Sequence, residues 1–576
     1  MKRWQWMLTT ALLCSPVLAG GCQAARAGAG APRGQVVLRY TVSLRSPEDQ
    51  RVTVTALLAG LDQQLPSLRW RMQRQFAFVR LPEPLLEGPV LATSGDEPLD
   101  LEHPSPYEWI VAPRGHASIC LTYTVPLTHR TLEAVKKRDA YEYPYVADDH
   151  GLLVTPTLFM FPDDVTVSEM RVRFELPEGW PVIAPWRRVG EGEFDPGTTE
   201  ALLNDLIAIG AWHVHEIRTG AFEGTIALAP GQDALEQAAV GPIRQIVEYE
   251  LALFGRPAQG RYLFLFGRPE TRGMAGSPKT NSMTLSVSPS LAPMAGQYLP
   301  HLIAHEFFHT WAAGMEMPDE LRWVNEGFTD YYAYLVAARL GLSTWEQFAE
   351  MLAEKMQAAA ANPLHGKLSL TAAGGEAFFH DSHAYDLAYD GGLLIAAWLD
   401  RSVRQHGRGQ TLDDLMRAFI NDPRWQGGGS APTLEDFLAV ARQFTSPSTA
   451  ERLQELVTQP YSFEPRAEFA KLGIEIGQET SAPDLSLRAN LESTRVIDLD
   501  QSGIAYRVGI RSGDRLVEIN GQPVSNAQEV RSAWRSPIDK RIRVKLERDG
   551  QSVEIDEPLP NVERFTVPVQ PWREHA

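Results

Sequence analysis

Two histidines and a glutamate near the middle of the chain are spaced for chemistry on a metal ion. Residues 305–309 read HEFFH, inside a run from 300 to 314 whose terminal Pro and Gly predict a helix. Four residues along a helix return to almost the same face, so the imidazoles of His305 and His309 can reach one ion. Glu306 is offset from His305 by about one third of a turn, which puts its carboxylate beside a metal-bound water. The spacing predicts zinc held by two neutral imidazoles, with Glu306 as the general base toward an attacking water.

The third ligand is predicted in the stretch WVNEGFTDYY, which spans residues 323–332 and reads as the start of a second helix. Sixteen residues separate Glu326 from His309, enough for a loop that returns the second helix against the first. Asp330 follows four residues later on the same face, where it could accept the free ring N–H of a ligating histidine. An ordinary surface carboxylate is an equally good interpretation of Asp330. We expect His305, His309 and Glu326 to hold one zinc ion per chain.

The first residues have the order of an export signal: two basic residues, a short apolar run, then small residues. The run is too short to span a bilayer comfortably. Residues 1–22 are therefore predicted to be an export signal, and the Gly/Ala-rich residues 23–33 a tether. Cys22 follows LAGG, which is similar to a bacterial lipoprotein box. Two outcomes stay open, lipidation of Cys22 or cleavage around Ala19, and both predict an exported protein, either periplasmic or membrane-anchored.

Hydrophobic patterning divides the rest of the chain into three parts. From 34 to 220, stretches such as VVLRYTVSL and EMRVRFELP alternate between Pro/Gly punctuation, which predicts an N-terminal β-sandwich-like domain. Residues 221–460 contain one or two strands followed by long helical runs. Residues 466–560 return to short strands, including a hairpin with Asp549-Gly550 at its turn. The sequence thus predicts a multidomain α+β protein with a mostly helical middle domain and a small β-rich C-terminal domain.

The charge of the chain limits its partners. Its 54 basic and 72 acidic residues give a formal net charge of -18. A nucleic-acid partner would require a basic face that displaces counterions from phosphates. No nucleic-acid partner is therefore expected.

The two chemical stretches carry a family resemblance. HEFFH followed by WVNEGFTDYY resembles the zinc core of the gluzincin peptidases. The whole layout resembles the glycyl aminopeptidase family of metallopeptidases that carry a PDZ domain, and DDHGLLVTPTLFMFP and LPEGWPV in the N-terminal domain are similar to that family as well. The resemblance implies a thermolysin-like, mostly helical zinc peptidase domain that acts on a peptide or protein substrate.

The C-terminal part resembles a PDZ domain. GIRSGD at 509–514, followed by LVEINGQPV at 516–524, is similar to the turn and strand of such domains. The resemblance implies that Leu472, Gly473 and Ile474 offer backbone N–H groups to the C-terminal carboxylate of a peptide ligand.

The resemblance also implies a tyrosine that donates to the oxyanion of the tetrahedral intermediate, from a Tyr-x-Lys-Gly stretch. Here that stretch is Tyr389-Asp390-Gly391-Gly392, so Tyr389 is the expected donor and Tyr385 the alternative. Glycine replaces the lysine. Two consecutive glycines are unfavourable inside a helix, which predicts either a close backbone approach at this point or the start of a helix.

A second departure from the family affects specificity. Aminopeptidases of this clan place a Gly-x-x-Glu stretch before the zinc helix, and its glutamate receives the free α-ammonium group of the substrate. The counterpart here, GMAGS at 273–277, contains no acid, and Glu270 lies nearby. We therefore expect a zinc metallopeptidase that is aminopeptidase-like by resemblance. Endopeptidase cleavage, or an inactive protein that binds peptides through its PDZ domain, stays open.

Overall fold

The computed structural model describes residues 35–573, apart from 77–78, 131–142, 256, 258–259, 268–273, 289–291, 293–294, 314, 316, 407–408, 426–429, 482–488, 493, 500–503, 535–540 and 560–561. The predicted export signal and tether lie outside the described residues. Contacts divide the chain into two compact units. One extends to Val214 and includes Lys279–Ser282, and the other comprises His215–Pro278 and the residues from Met283 onward.

The first unit is β-rich. Its strands are β1 (Val37–Ser43), β2 (Arg51–Ala59), β3 (Leu68–Met72), β4 (Gln75–Phe76), β5 (Val79–Arg80), β6 (Leu91–Ser94), β7 (Glu97–Pro98), β8 (Leu101–Ser105), β9 (Glu108–Val111), β10 (Ser118–Pro126), β11 (Tyr145–Val146), β12 (His150–Val154), β13 (Met160–Pro162), β14 (Glu169–Glu175), β15 (Val182–Ile183), β16 (Arg187–Gly190), β17 (Glu193–Asp195) and β18 (Leu206–Gly210). Its described residues also include the α-helix α1 (Thr199–Leu203) and 3-10 turns at Pro47–Asp49 and Thr155–Thr157.

These strands form several sheets because their apolar residues alternate. The largest sheet among the described residues has the order β16-β17-β14-β1-β2-β10-β6-β7, and two four-stranded sheets have the orders β11-β12-β18-β15 and β13-β3-β9-β8. In β2 every second residue is buried, namely Val52, Val54, Ala56 and Leu58. The predicted β-rich N-terminal domain is confirmed.

A buried carboxylate holds the turn Lys279–Ser282 within this unit. Asp205 accepts hydrogen bonds from the backbone N–H of Asn281 at 2.7 Å, its Nδ2 at 3.1 Å, Ser282 Oγ at 2.8 Å and Trp186 Nε1 at 3.0 Å. Burial raises the pKa of Asp205 from 3.8 to about 7, although the hydrogen bonds act in the opposite direction.

The helical part of the second unit combines a five-stranded sheet with many helices. Its sheet has the order β19-β20-β21-β23-β22, so β22 is an edge strand. The strands are β19 (His213–Thr219), β20 (Phe222–Leu228), β21 (Arg261–Phe266), β22 (Met274–Pro278) and β23 (Ser282–Val287). The helices are α2 (Asp233–Phe254), α3 (Ala295–Ala313), α4 (Thr329–Arg339), α5 (Trp345–Ala361), α6 (Leu370–Ala373), α7 (Ala377–His380), α8 (Ser382–Asp386), α9 (Gly392–Gln405), α10 (Leu412–Ile420), α11 (Leu434–Phe444), α12 (Pro447–Thr458) and α13 (Pro465–Ala470), with a 3-10 turn at Asp319–Leu321 and π-helical turns at Trp323–Phe328 and Leu387–Gly391.

The C-terminal β-rich region has a core of its own. It contains β25 (Ala489–Glu492), β26 (Arg495–Leu499), β27 (Arg515–Ile519), β28 (Gln522–Pro523), β29 (Arg541–Arg548), β30 (Gln551–Pro558), α14 (Ile504–Arg507) and α15 (Ala527–Trp534). It is flanked by β24 (Gly477–Ser481) before it and by β31 (Val562–Thr566) and α16 (Gln570–Arg573) after it. Its core extends from Val496 to Leu559. At the predicted hairpin turn between β29 and β30, Asp549 and Gly550 both have positive φ, as a type I′ turn requires.

The chain returns to the helical core after this region. β24 pairs with β31, so the two segments that enter and leave the β-rich region lie side by side. Beyond β31, Trp572 is buried against Phe348 of α5 and Phe469 of α13. Ile474 also belongs to the helical core. The helical core therefore includes residues on both sides of the β-rich region. Among the described residues, none of the helices is both long enough and apolar enough to cross a membrane.

Candidate metal centre and active site

Helix α3 carries the HEFFH stretch in the interior of the second unit. The helix begins at Ala295, so Pro300 lies inside it rather than in its first turn. Its apolar face is buried, with Phe307 packed against rings of the sheet and Phe308 against Phe254 and Tyr332. This packing fixes the opposite face, which presents the two histidines.

The three predicted ligands converge. His305 Nε2 and His309 Nε2 are 3.2 Å apart, and Glu326 Oε2 lies 3.7 Å from the first and 3.6 Å from the second. Ligands about 2.0–2.1 Å from a zinc ion in a tetrahedron are separated by roughly 3.3 Å. The triangle therefore has the size that a tetrahedral ion requires, with one position left for water or substrate.

Asp330 is the partner of the first histidine. It accepts a hydrogen bond from His305 Nδ1 at 3.2 Å, which directs Nε2 toward the other ligands. The same oxygen accepts from His301 Nε2 at 2.9 Å. Burial raises the pKa of Asp330, but the charges of Lys355 and His301 outweigh it and hold the pKa well below its usual range. The structure thus places Asp330 in the site as a buried carboxylate.

The electrostatics of the triangle favour a cation. Burial lowers the pKa of His309 to about 4, so this imidazole is neutral at neutral pH. Burial also acts to lower the pKa of His305, but Asp330, Glu326 and Glu306 raise it to about 10. Glu326 is ionised, because the histidines outweigh its burial and lower its pKa to about 2. The carboxylates therefore hold a proton on His305, and a divalent ion would displace that proton.

Two π-helical turns bring Glu326 and Tyr389 together. A methyl group on Gly392 would lie 2.2 Å from the carbonyl oxygen of Trp323, and one on Gly327 would lie 2.5 Å from Gly392. The backbones touch at these glycines, and α9 begins at Gly392. This contact confirms the close approach predicted from the paired glycines. Single π-helical turns of this kind are frequent at functional sites.

Tyr389 lies beside the three predicted ligands. Its hydroxyl helps to lower the pKa of Glu326, and its ring is nearly parallel to that of His305, with centroids 6.1 Å apart. Tyr385 stacks on Tyr389, with ring centroids 4.5 Å apart. The structure therefore brings the expected oxyanion donor and its alternative to the same place.

Glu306 faces the edge strand of the sheet. A methyl group on Gly276 would lie 2.7 Å from Glu306 Oε1 and 2.8 Å from its Cγ, so a larger residue there would displace this side chain. Gly276 belongs to β22, whose residues MAGSP overlap the 273–277 stretch compared with Gly-x-x-Glu. Gly273 and Glu270 lie outside the described residues.

Sequence reasoning missed two basic residues of the site. His301 lies one helical turn before His305 and could have been found by the four-residue spacing that also relates His305 to His309. Lys355 of α5 lies 2.7 Å from Asp390 Oδ1 and 3.5 Å from Asp330 Oδ2. Nothing in the local pattern around Lys355 indicates this contact.

The predicted carboxylate-binding stretch, Leu472 to Ile474, lies in the turn that follows α13. The backbone N–H groups of Leu472 and Ile474 donate to the carbonyl of Phe469, and that of Gly473 donates to the carbonyl of Ala470. These groups close a turn at the end of α13. The structure does not bring the stretch to the core of the β-rich region.

Comparisons with known proteins agree with this geometry. The family model for the Peptidase M61 N-terminal domain matches residues 86–210, that for M61 glycyl aminopeptidase matches 299–389, and that for the PDZ domain matches 495–548. The second match contains the ligand triangle, Glu306 and Tyr389. No curated protein matches the chain.

Solved structures show a similar fold. An aminopeptidase N family protein from Idiomarina loihiensis has a TM-score of 0.67 at 16% identity, covering 92% of this chain and 98% of its own. An M1 zinc metallopeptidase from Deinococcus radiodurans has a TM-score of 0.50 at 12% identity, covering 75% of this chain and 96% of its own. At these identities the likeness concerns the fold. Together with the family matches, it supports a peptidase. The three family models confirm that the chain resembles the glycyl aminopeptidase family of metallopeptidases with a C-terminal PDZ domain.

Proposed function

We propose that this protein is a zinc-dependent metallopeptidase that hydrolyses peptide bonds with a water molecule. The observation that carries the proposal is the triangle of His305 Nε2, His309 Nε2 and Glu326 Oε2, with separations of 3.2, 3.7 and 3.6 Å. Two imidazoles and one carboxylate are the ligand type of catalytic zinc sites. When bound, zinc supplies a Lewis acid that polarises the substrate carbonyl and acidifies water.

The residues of this chain have separate tasks. Glu306 takes the proton from the attacking water and passes it to the leaving amine. The hydroxyl of Tyr389 donates a hydrogen bond to the oxyanion that develops on the carbonyl oxygen. Asp330 accepts the Nδ1 hydrogen of His305, which keeps the ring in the tautomer and orientation that present Nε2.

The ligand assignment has a direct test. Elemental analysis of the purified protein should find close to one zinc per chain, and the His305→Ala, His309→Ala double variant should contain none. Absence of metal from the parent after zinc is supplied at neutral pH would rule out the proposal and favour a peptide-binding protein that acts through its PDZ domain.

The role of Glu306 gives the first prediction. Glu306→Gln should keep zinc and lose activity by several orders of magnitude, because the amide cannot accept the proton. The measurement is zinc content alongside turnover of a peptide substrate. Normal turnover by this variant is incompatible with the mechanism.

Two modes of cleavage remain candidates. The family match favours an aminopeptidase, whereas β22 carries no acidic residue to receive a free α-ammonium group, which favours an endopeptidase. Matched peptides with free and acetylated N-termini distinguish them. An aminopeptidase must fail on the acetylated set, and an endopeptidase cleaves both.

A further inference from the structure

A partly buried cation, Lys355, lies between two carboxylates of the proposed active site, Asp330 and Asp390. Lys355 projects from α5, and its side chain is 23% exposed. Its ammonium group donates a hydrogen bond to Asp390 Oδ1 at 2.7 Å and lies 3.5 Å from Asp330 Oδ2. Both carboxylates are nearly buried, with side chains that are 13% and 8% exposed. Charges this close in a poorly hydrated place interact strongly.

Asp330 links Lys355 to the proposed metal ligand His305. Asp330 uses Oδ1 for His305 and His301, and Oδ2 faces Lys355. Because the two oxygens have different partners, the plane of the carboxylate is fixed, and so is the direction from which His305 Nδ1 is held.

Asp390 links Lys355 to the segment that carries Tyr389, the proposed oxyanion donor. Asp390 follows Tyr389 directly in the π-helical turn Leu387–Gly391. Gly392, which follows this turn, lies against Trp323 and Gly327. The ion pair with Lys355 therefore gives the turn a second point of attachment, at the residue next to Tyr389.

The ammonium group also separates two like charges. Without it, the carboxylates of Asp330 and Asp390 would face each other with no ammonium group between them, and like charges this close in a poorly hydrated place repel each other strongly. Relief of that repulsion requires one of the two carboxylates to turn away. Either movement would disturb a group that the reaction uses.

We propose that Lys355 is a positioning residue that holds the imidazole of His305 and the hydroxyl of Tyr389 in one arrangement through Asp330 and Asp390. The inference rests on the proposed peptidase function. It assigns to α5 a direct part in assembling the active site.

Kinetics test the inference on the zinc-loaded enzyme. Lys355→Met should lower kcat by about 10- to 100-fold, the usual effect of losing a partner of a metal ligand. KM should change by less than about twofold, because Lys355 does not touch substrate. Lys355→Arg should recover most of the loss. Lys367→Met removes an exposed lysine, which contacts only the Pro363 carbonyl among the described bonds, and should behave as the parent.

A second background separates positioning from general destabilisation. If Lys355 acts through Tyr389, then Lys355→Met should cost much less in Tyr389→Phe than in the parent, because the hydroxyl it positions is already absent. The same fold-loss in both backgrounds would overturn the link to Tyr389. If Lys355→Met yields no folded protein, Asp390→Asn replaces it, since that change leaves Lys355 facing Asp330 and should give the same pattern.

A metal probe gives a readout that needs no turnover. Cobalt(II) loaded into the apoprotein should bind close to one per chain in parent and Lys355→Met, but with a shifted visible spectrum in the variant, because ligand geometry sets that spectrum. Parent kcat and an unchanged cobalt spectrum in Lys355→Met would overturn the inference. If the cobalt spectrum shifts in Lys355→Met but the parent hydrolyses no peptide, the proposed function is refuted and the positioning role stands.

Discussion

Gly392→Ala is a one-methyl test of how Glu326 and Tyr389 are brought together. The backbone of Gly392 is ordinary helix, with φ -62° and ψ -43°, so alanine fits its conformation. Helix propensity alone favours alanine by about 1 kcal/mol. The lack of space outweighs this preference, because the added methyl carbon would lie 2.2 Å from the Trp323 carbonyl oxygen.

The size of the effect follows from that distance. Carbon and oxygen normally approach to about 3.3 Å, so the two backbones must separate by roughly 1 Å. Overpacking of this kind costs about 1–3 kcal/mol, or a fall of about 1–3 °C in thermal midpoint for a chain of this length. The π-helical turns hold Glu326 and Tyr389, and a displacement of about 1 Å can reduce the rate about 100-fold.

Gly296→Ala is the matched control. Gly296 is also helical, within α3, and a methyl group there meets nothing within 4 Å. This variant should be as stable as the parent or slightly more stable, with unchanged activity. The assay is thermal unfolding followed by peptide turnover at saturating zinc. If Gly392→Ala matched Gly296→Ala in both measurements, the claim that the glycine contact sets the site would be wrong.

Three further predictions concern single carboxylates or hydroxyls. Glu326→Ala should lose zinc affinity itself, so zinc content after dialysis should fall well below one per chain, and retention of stoichiometric zinc would remove Glu326 from the ligand set. Tyr389→Phe should retain zinc and lose about 100- to 1000-fold in kcat, whereas an unchanged kcat would point to Tyr385 as the donor. The raised pKa of Asp205, about 7 against 3.8, means that the native state keeps a proton that the unfolded chain releases. Its contribution is therefore fully present below about pH 4 and is lost toward pH 7, at up to about 1.4 kcal/mol per pH unit. Thermal midpoints measured across this range should lack that decline in Asp205→Asn, and an equal decline in both proteins would contradict the assignment.

The sequence predicted the parts of the site that depend on local periodicity. His305 and His309 fall on one face because they are four residues apart, and the same spacing relates Glu326 to Asp330. The alternation of apolar residues was enough for the β-rich N-terminal domain, since one buried face imposes a period of two. The paired glycines at 391–392 predicted either a close backbone contact or the start of a helix, but they did not indicate which segment makes the contact.

The remaining features depend on contacts between distant segments. Lys355 and Asp390 are 35 residues apart, and no pattern around either one shows that α5 packs against the π-helical turn. The resemblance to a PDZ domain implied a carboxylate-binding loop at 472–474, but the N–H groups of this stretch close the turn at the end of α13. Local similarity predicted a motif there, and the neighbouring core of the helical domain determined the structure.

The return of the chain after β31 has a consequence for how the gene can be divided. A stop codon placed after residue 476 would remove the β-rich region together with β31 and α16, and would leave Phe348 and Phe469 without the Trp572 ring that covers them. Arg401 would lose its hydrogen bond to the Pro571 carbonyl at 2.7 Å. The β-rich region is therefore inserted between two parts of the helical core. Exchanging it between related genes requires recombination at two points, one before β24 and one after β31.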